Sequence, residues 1–275
     1  SVRYAYIDLV FAGDRLKLAQ RQDSIMAELE RSAELRYSTG ETNALERLSV
    51  QARRKDATVA RTQAEADVRI AQQTLAQYLD TTATWLPLDE KLTRLPAPGA
   101  SGMTGHPMLD VYQGRMDVAV RQKSVEQNKL LPALNFRLFD QKLYGVDDEF
   151  YGYSFGVGIP LGFWSFRSKI RSAEFGKRAA EQQYRSAQLR LNTELFTAQQ
   201  NLEKDRQTLE SYEATGLLQA EELLRTAGIA YPAGEIGYLE YTALIAQGIG
   251  LRNQYLNALY QYARSVVQLN YLQNQ

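Results

Sequence analysis

The sequence contains no cysteine and a single histidine, His106, among 275 residues. That absence removes disulfides, thiolate nucleophiles, cysteine-ligated zinc and any lipid-modified cysteine within this stretch. Neither sign of charge is in excess, because 32 Lys and Arg balance 32 Asp and Glu, so no nucleic-acid partner is indicated. No run approaches the roughly 20 apolar residues of a membrane-spanning helix. The opening SVRYAYIDLVFAGDRLKLAQ has too short an apolar core and no cleavage pattern for a signal peptide. Proline is scarce, and four of the seven fall with three glycines in PLDEKLTRLPAPGASGMTGHP, which marks residues 81–106 as a linker.

What is present is helical periodicity. Ala57, Ala60, Ala64, Val68, Ala71, Leu75 and Leu79 recur at 3-4-4 spacing, one narrow apolar stripe on a surface rich in Arg, Gln and Glu. The eleven-residue repeat of that spacing predicts helices that run nearly straight or slightly right-handed about their neighbours. Residues 166–229 hold no Pro and few Gly, and at roughly 1.5 Å per residue would reach about 95 Å if continuous. Residues 1–35 also read as helix and open without a capping pattern.

An internal repeat organises these helices. YSTGETNALE, from Tyr37 to Glu46, aligns with YPAGEIGYLE, from Tyr231 to Glu240, at a constant offset of 194 residues. Leu29, Arg31 and Ala33 recur as Leu223, Arg225 and Ala227, and Ala52, Ala64 and Leu75 as Ala246, Ala258 and Leu269. In each copy Gly40 or Gly234 is placed to take the left-handed conformation that ends one helix before the next begins.

Between the repeats the period changes to two. In YGYSFGVGIPLGFW, Tyr151, Tyr153, Phe155, Val157, Ile159 and Leu161 alternate with Gly152, Ser154, Gly156, Gly158, Pro160 and Gly162. Upstream, Leu134, Phe136 and Leu138 alternate with Asn135 and Arg137, and a polar turn lies at 145–149. The pattern predicts a β-hairpin, apolar on one face and small or polar on the other, as a membrane barrel requires. A soluble hairpin packed by one face on a helix has the same pattern, and in either setting two strands alone need partners.

Catalysis is disfavoured. His106 lies in the Pro/Gly linker with no nucleophile, base or metal-ligand cluster beside it in sequence, so a surface-loop histidine is expected. The glycines of GVGIPLG alternate like a strand face and lack the Lys-Ser or Lys-Thr of a phosphate loop. Asp89, Glu90 and the acidic run at 147–149 read as solvated turns. No cofactor and no metal site is expected.

The order of long helix, hairpin ending in VGIPLGFWSFRSKI, long helix, Tyr-x-x-Gly-Glu turn and Ala-rich return helix resembles the TolC-type outer-membrane factor family. The Gly-Phe-Trp strand exit is similar to its heavy-metal efflux branch. The resemblance implies a mainly α fold with a small β part: antiparallel coiled-coil helices forming a periplasmic α-barrel, and a transmembrane hairpin contributing to a β-barrel shared by a homotrimer in outer-membrane lipid. It divides the chain into a first helical hairpin (1–80), the linker (81–106), a helix (107–132), the membrane hairpin (133–162) and a second helical hairpin (163–275).

The implied function is passive export of substrates, heavy-metal cations among them, handed over by an inner-membrane pump of the resistance-nodulation-division type and a periplasmic adaptor. By motif match, Gly40, Glu41, Thr42, Gly234, Glu235 and Ile236 fall at the adaptor-facing tips. Glu46 and Glu240 fall at the pore entrance, and Tyr151, Tyr153, Phe155, Val157, Ile159 and Leu161 face lipid. One hairpin per chain gives a trimer about six strands, short of the roughly eight of the smallest ordinary barrels. A leader, a first helix and a first hairpin are therefore expected before Ser1, the alternative being a truncated relative that forms no channel. Two other functions fit parts of the pattern. A periplasmic adaptor would have helical hairpins, but the β-rich modules of that class are not evident; a structural coiled coil would leave the alternating strand and the duplication unexplained.

Overall fold

A computed structural model describes residues 2–83, 85–88, 91–99, 106–142, 144–145, 149–159 and 163–273, with backbone only at 149, 150 and 163. Asp89, Glu90, Asp147, Asp148, Leu161 and Gly162 lie outside these residues. The elements are α1 (Val2–Ser38), α2 (Ala44–Tyr78), α3 (Pro107–Asn128), β1 (Ala133–Lys142), β2 (Glu149–Gly158), α4 (Phe163–Ser211), a π-helical turn (Tyr212–Gly216), α5 (Leu217–Ala230) and α6 (Tyr238–Leu272). They group into two units, one of residues 1–101 with 195–275 and one of residues 102–194, so α4 contributes to both.

In the first unit α1 and α2 form an antiparallel pair. The α2 side chains buried in it include Val50, Ala57, Ala64 and Ala71, which recur every seven residues. Ala60 and Val68 are half-buried and Leu75 is buried beside them, so six of the seven positions of the 3-4-4 stripe lie in the seam and Leu79 alone of the seven is exposed. An eleven-residue spacing also runs along another face, where Leu48, Val59 and Ile70 stand exposed. Small side chains in the seam bring the two backbones close, and Asp23 of α1 crosses it. Buried at 4% exposure, its carboxylate takes Arg54 and Arg61 of α2 as ion-pair partners and accepts the Thr58 hydroxyl hydrogen bond at 3.1 Å.

The second helical pair, α5 and α6, meets at Gly248, where a Cβ would lie 2.8 Å from Leu224 Cγ and 3.2 Å from the Ala220 carbonyl oxygen. One core joins both pairs: Leu29 and Ala33 of α1 and Val50 of α2 pack with Leu224 and Ala227 of α5 and Tyr238 and Ile245 of α6. A link from α1 to α6 is made by Phe11 stacked on Tyr260 at 4.1 Å, whose hydroxyl donates to Asp8 at 2.8 Å.

Residues 91–99 form neither helix nor strand, yet they are fastened along their length. Asp14 accepts the Leu92 N–H at 2.8 Å, and the Tyr262 hydroxyl donates to the Leu95 carbonyl at 3.0 Å. Arg94 donates to Glu210 at 2.9 Å and to Glu213 of the π-helical turn at 3.0 Å. The Arg94 hydrogen bond, assisted by Arg206, holds the Glu210 carboxyl below its usual range. Leu92 and Leu95 pack with Leu209, Leu259 and Tyr262. The proline-rich segment is thus a strap; Pro and Gly exclude helix, but they leave its amides and side chains free to dock.

In the second unit His106 caps α3. Its Nδ1 accepts the Met108 N–H at 3.2 Å, and Pro107 follows at the first helical position, where a missing N–H costs nothing. The expectation of a surface-loop histidine is therefore wrong: His106 is only 5% exposed. An imidazole before proline supplied the cap that Ser or Asp would ordinarily supply. Along α3 no side chain is buried, and Val111, Val118 and Val125 form an exposed line at seven-residue spacing.

Strands β1 and β2 pair antiparallel in a two-stranded sheet, with Leu134 opposite Val157, Phe136 opposite Phe155, Leu138 opposite Tyr153 and Asp140 opposite Tyr151. The alternate pairs are Asn135 with Gly156, Arg137 with Ser154 and Phe139 with Gly152. The Phe139 ring lies over Gly152, in space a Cβ there would occupy. Gly145, with φ of 87°, takes the left-handed conformation in the described part of the turn.

Candidate functional site

Two surfaces carry the residues singled out from the sequence: the paired turns of the first unit and the hairpin of the second. In the turns the repeat extends to single hydrogen bonds. Gly40 N–H reaches Tyr37 O at 3.1 Å and Glu41 N–H reaches Arg36 O at 2.8 Å; Gly234 N–H reaches Tyr231 O at 3.1 Å and Glu235 N–H reaches Ala230 O at 2.9 Å. Gly40 and Gly234 have φ of 77° and 74°, a region that costs other residues about 1–2 kcal/mol. Each bond from the acidic residue spans five positions and closes the preceding helix with a left-handed cap.

Side chains then separate the copies. Gly40, Glu41, Gly234 and Glu235 are exposed, while Thr42 and Ile236 are half-buried at the same position. In the first copy Asn43 caps α2, its Oδ1 accepting the Glu46 N–H at 2.9 Å. The Glu46 carboxylate is held by the Thr42 hydroxyl at 2.5 Å and by Arg36 at 3.4 Å, leaving its side chain 18% exposed. In the second copy Gly237 begins α6 without a side-chain cap. Glu240 is exposed, and its carboxylate has no ion pair or hydrogen bond among the described residues. The aligned glutamates thus differ electrostatically, one compensated and one free.

Arg36 makes that difference, and sequence reading missed it. Besides Glu46 it reaches Glu41 at 3.9 Å and the Tyr231 hydroxyl at 3.3 Å, so one guanidinium joins both turns. A signal was present in the repeat, because the aligned position holds Ala230, which can make none of these bonds. Around it Tyr231 stacks on Tyr241 at 4.4 Å and Tyr238 donates to Ser49 Oγ at 3.1 Å. Burial, then the charge of Glu28, raises the Tyr241 pKa, so this hydroxyl stays neutral.

On the hairpin, the register puts Leu134, Phe136 and Leu138 on one face with Tyr151, Tyr153, Phe155 and Val157, each between 52% and 78% exposed. Ile159 follows β2 and is exposed; Leu161 lies outside the described residues. The opposite face offers Ala133, Asn135, Arg137, Ser154 and three glycines, together with Phe139 and, by register, Gln141 and Phe150. Among the described residues no group of three or more His, Asp or Glu side chains is placed to hold a metal ion, and no helix is long and apolar enough to cross a membrane.

With the geometry described, comparison with known proteins locates the chain. Its fold superposes on the Campylobacter jejuni CmeC outer membrane channel with a TM-score of 0.87 at 15% identity, covering 98% of this chain and 61% of that one. The Vibrio cholerae outer membrane protein VceC gives 0.85 at 15% identity, covering 99% and 68%. The open Neisseria gonorrhoeae MtrE outer membrane channel gives 0.84 at 17% identity, covering 99% and 64%. The chain therefore spans between 61% and 68% of the length of these three proteins, and at such identities the likeness is one of fold. No curated protein sequence matches significantly. Residues 104–275, more than half of the chain, match the family defined as outer membrane efflux protein, and the chain belongs to that family.

Proposed function

We propose that the protein is a subunit of an outer-membrane efflux duct. Three copies assemble, their hairpins contribute strands to a β-barrel in outer-membrane lipid, and their helices continue it as a periplasmic tunnel. The carrying observation is the hairpin's exposed apolar face, Leu134 to Leu138 against Tyr151 to Val157, backed by a face of small and polar residues. Water disfavours such a face and hydrocarbon accepts it, while lipid also requires every strand edge to be paired. Further strands of the shared barrel supply those pairs. The unpartnered lines Leu48, Val59, Ile70 and Val111, Val118, Val125 support lateral packing of further helices.

At the tips, Gly40, Glu41, Thr42, Gly234, Glu235 and Ile236 meet the periplasmic adaptor, which couples the duct to an inner-membrane pump of the resistance-nodulation-division type. Glu240 lines the entrance and, repeated about the symmetry axis, attracts cations and repels anions. Glu46 carries less of that field because Arg36 compensates it. Heavy-metal cations are the proposed cargo, in keeping with the Gly162-Phe163-Trp164 strand exit and the free carboxylate.

Two measurements test this reading. In planar bilayers the protein should give stepwise, cation-preferring conductance, and Glu240→Ala should lower that preference while steps persist. A folded trimer that never conducts, or a preference unchanged by the substitution, refutes the duct or its entrance respectively. Phe155→Arg should oppose insertion by about 2–4 kcal/mol per chain if its side chain meets mid-bilayer lipid. Trimer recovered from the outer-membrane fraction should then fall severely, whereas Asn135→Lys, on the other face, should assemble normally. Equal recovery of both variants would mean that the apolar face does not meet lipid.

A further inference from the structure

Within the first unit, α1, the strap, α5 and α6 enclose a pocket of about 430 Å³, in the size range of small-molecule sites. Its lining carries four cations, Lys17, Arg21, Lys91 and Arg252, against two carboxylates, Asp14 and Glu221. Both carboxylates are already engaged: Asp14 accepts the strap amide of Leu92 and pairs with Lys17, and Glu221 lies 3.5 Å from Arg252. Among the described residues neither Arg21 nor Lys91 has an ion pair or hydrogen bond. Arg252 is the most telling member. Its side chain is 24% exposed, and its Nε is buried with no hydrogen-bond partner among the described residues. An unpaired buried donor is costly, and this guanidinium shares the pocket lining with three further cations, a setting short of negative charge. Burial, then the nearby Arg21 charge, lowers the Arg252 pKa against the opposing effect of Glu221. The floor is apolar, made by Leu18, Leu256 and Leu259 beside Tyr255.

We propose that this pocket binds a small organic dianion, whose charged head lies between Arg21, Lys91 and Arg252 and whose apolar body rests on the leucines. Arg21 and Lys91, two cations without an ion pair among the described residues, match a doubly charged head, and the leucine floor favours a ligand with an apolar body. The site does not depend on the duct, because it uses other residues than the hairpin and the turns.

Phenyl phosphate is a suitable probe, because its second ionisation, near pH 6, leaves it largely dianionic at neutral pH. Titration calorimetry on the detergent-solubilised protein at low ionic strength should show saturable binding. Affinity should fall at least about tenfold in Arg252→Met and, separately, in Arg21→Met, a surface substitution that leaves the fold intact. Benzyl alcohol, which has the ring without the charge, should not bind. Absence of saturable phenyl phosphate binding, native affinity in both variants, or equal binding of benzyl alcohol would each overturn the proposal.

Discussion

Replacing Asp23 with alanine should lower the unfolding free energy by about 2–3 kcal/mol, a large loss for one charged residue. Helical surfaces rich in Arg and Glu usually tolerate such changes, because exposed ion pairs contribute roughly 0–1 kcal/mol. Asp23 is different because it is buried in the seam between α1 and α2, where one carboxylate takes both Arg54 and Arg61 and the Thr58 hydroxyl. Its removal leaves two guanidiniums facing a small void. The loss stays below the roughly 3–5 kcal/mol of a fully buried pair, because Arg54 retains Glu30 at 3.8 Å and Arg61 retains Glu65 at 2.9 Å. Asp67→Ala is the control, since its pair with Arg15 is long, at 3.9 Å, and half-exposed. Denaturant midpoints of the two variants, taken at one protein concentration, decide the matter. Equal small shifts would mean that the seam draws nothing from the Asp23 cluster.

The second large effect is expected at Gly248. By propensity alone, a helical glycine is a weak point, and replacing it with alanine should stabilise α6 by roughly 0.5–1 kcal/mol. Packing reverses the sign. A Cβ at 248 meets the Leu224 side chain and, at 3.2 Å, the Ala220 carbonyl, which belongs to the α5 backbone and cannot rotate away. Gly248→Val should therefore destabilise by about 2–3 kcal/mol through forced separation of the helices. At Gly228, in α5, a Cβ would meet nothing within 4 Å, and Gly228→Ala should instead gain the propensity benefit. A thermal melt in which the two variants move in the same direction would contradict this account of the α5–α6 contact.

How far these features could be read beforehand depended on whether a residue's role is local. The hairpin was legible because strand alternation is a period of two, and Leu134, Phe136 and Leu138 did meet Val157, Phe155 and Tyr153 on one face. The left-handed glycines at 40 and 234 were legible because only a turn explains a Gly-Glu pair repeated between two helical stretches. Asp23, Arg36 and Arg252 were not, since a charge on a helix reads as solvated until its neighbour across the seam is known. The strap was misjudged for a related reason: proline and glycine announce the absence of regular structure, which is not the absence of contacts. Glu46 and Glu240, equal in the alignment, were separated by Arg36, ten positions before the first, and by the Thr42 hydroxyl, where the second copy has Ala230 and Ile236. The alanine stripe of α2 was legible because helical spacing is local, and Ala57, Ala64, Ala71 and Leu75 are buried.

The strap has a kinetic consequence as well. Asp23 and its arginines are separated by fewer than 40 positions, so α1 and α2 can associate as soon as both have left the ribosome or crossed a membrane. The strap's fastenings connect Arg94 to Glu210 and Leu95 to Tyr262, across 116 and 167 positions. Loop closure over such distances is slow and entropically costly. Leu92 can bond Asp14 of α1 early, but Arg94 and Leu95 must wait for Glu210 and Tyr262. Docking of the strap therefore proceeds in two stages, the second a late step in the folding of the first unit.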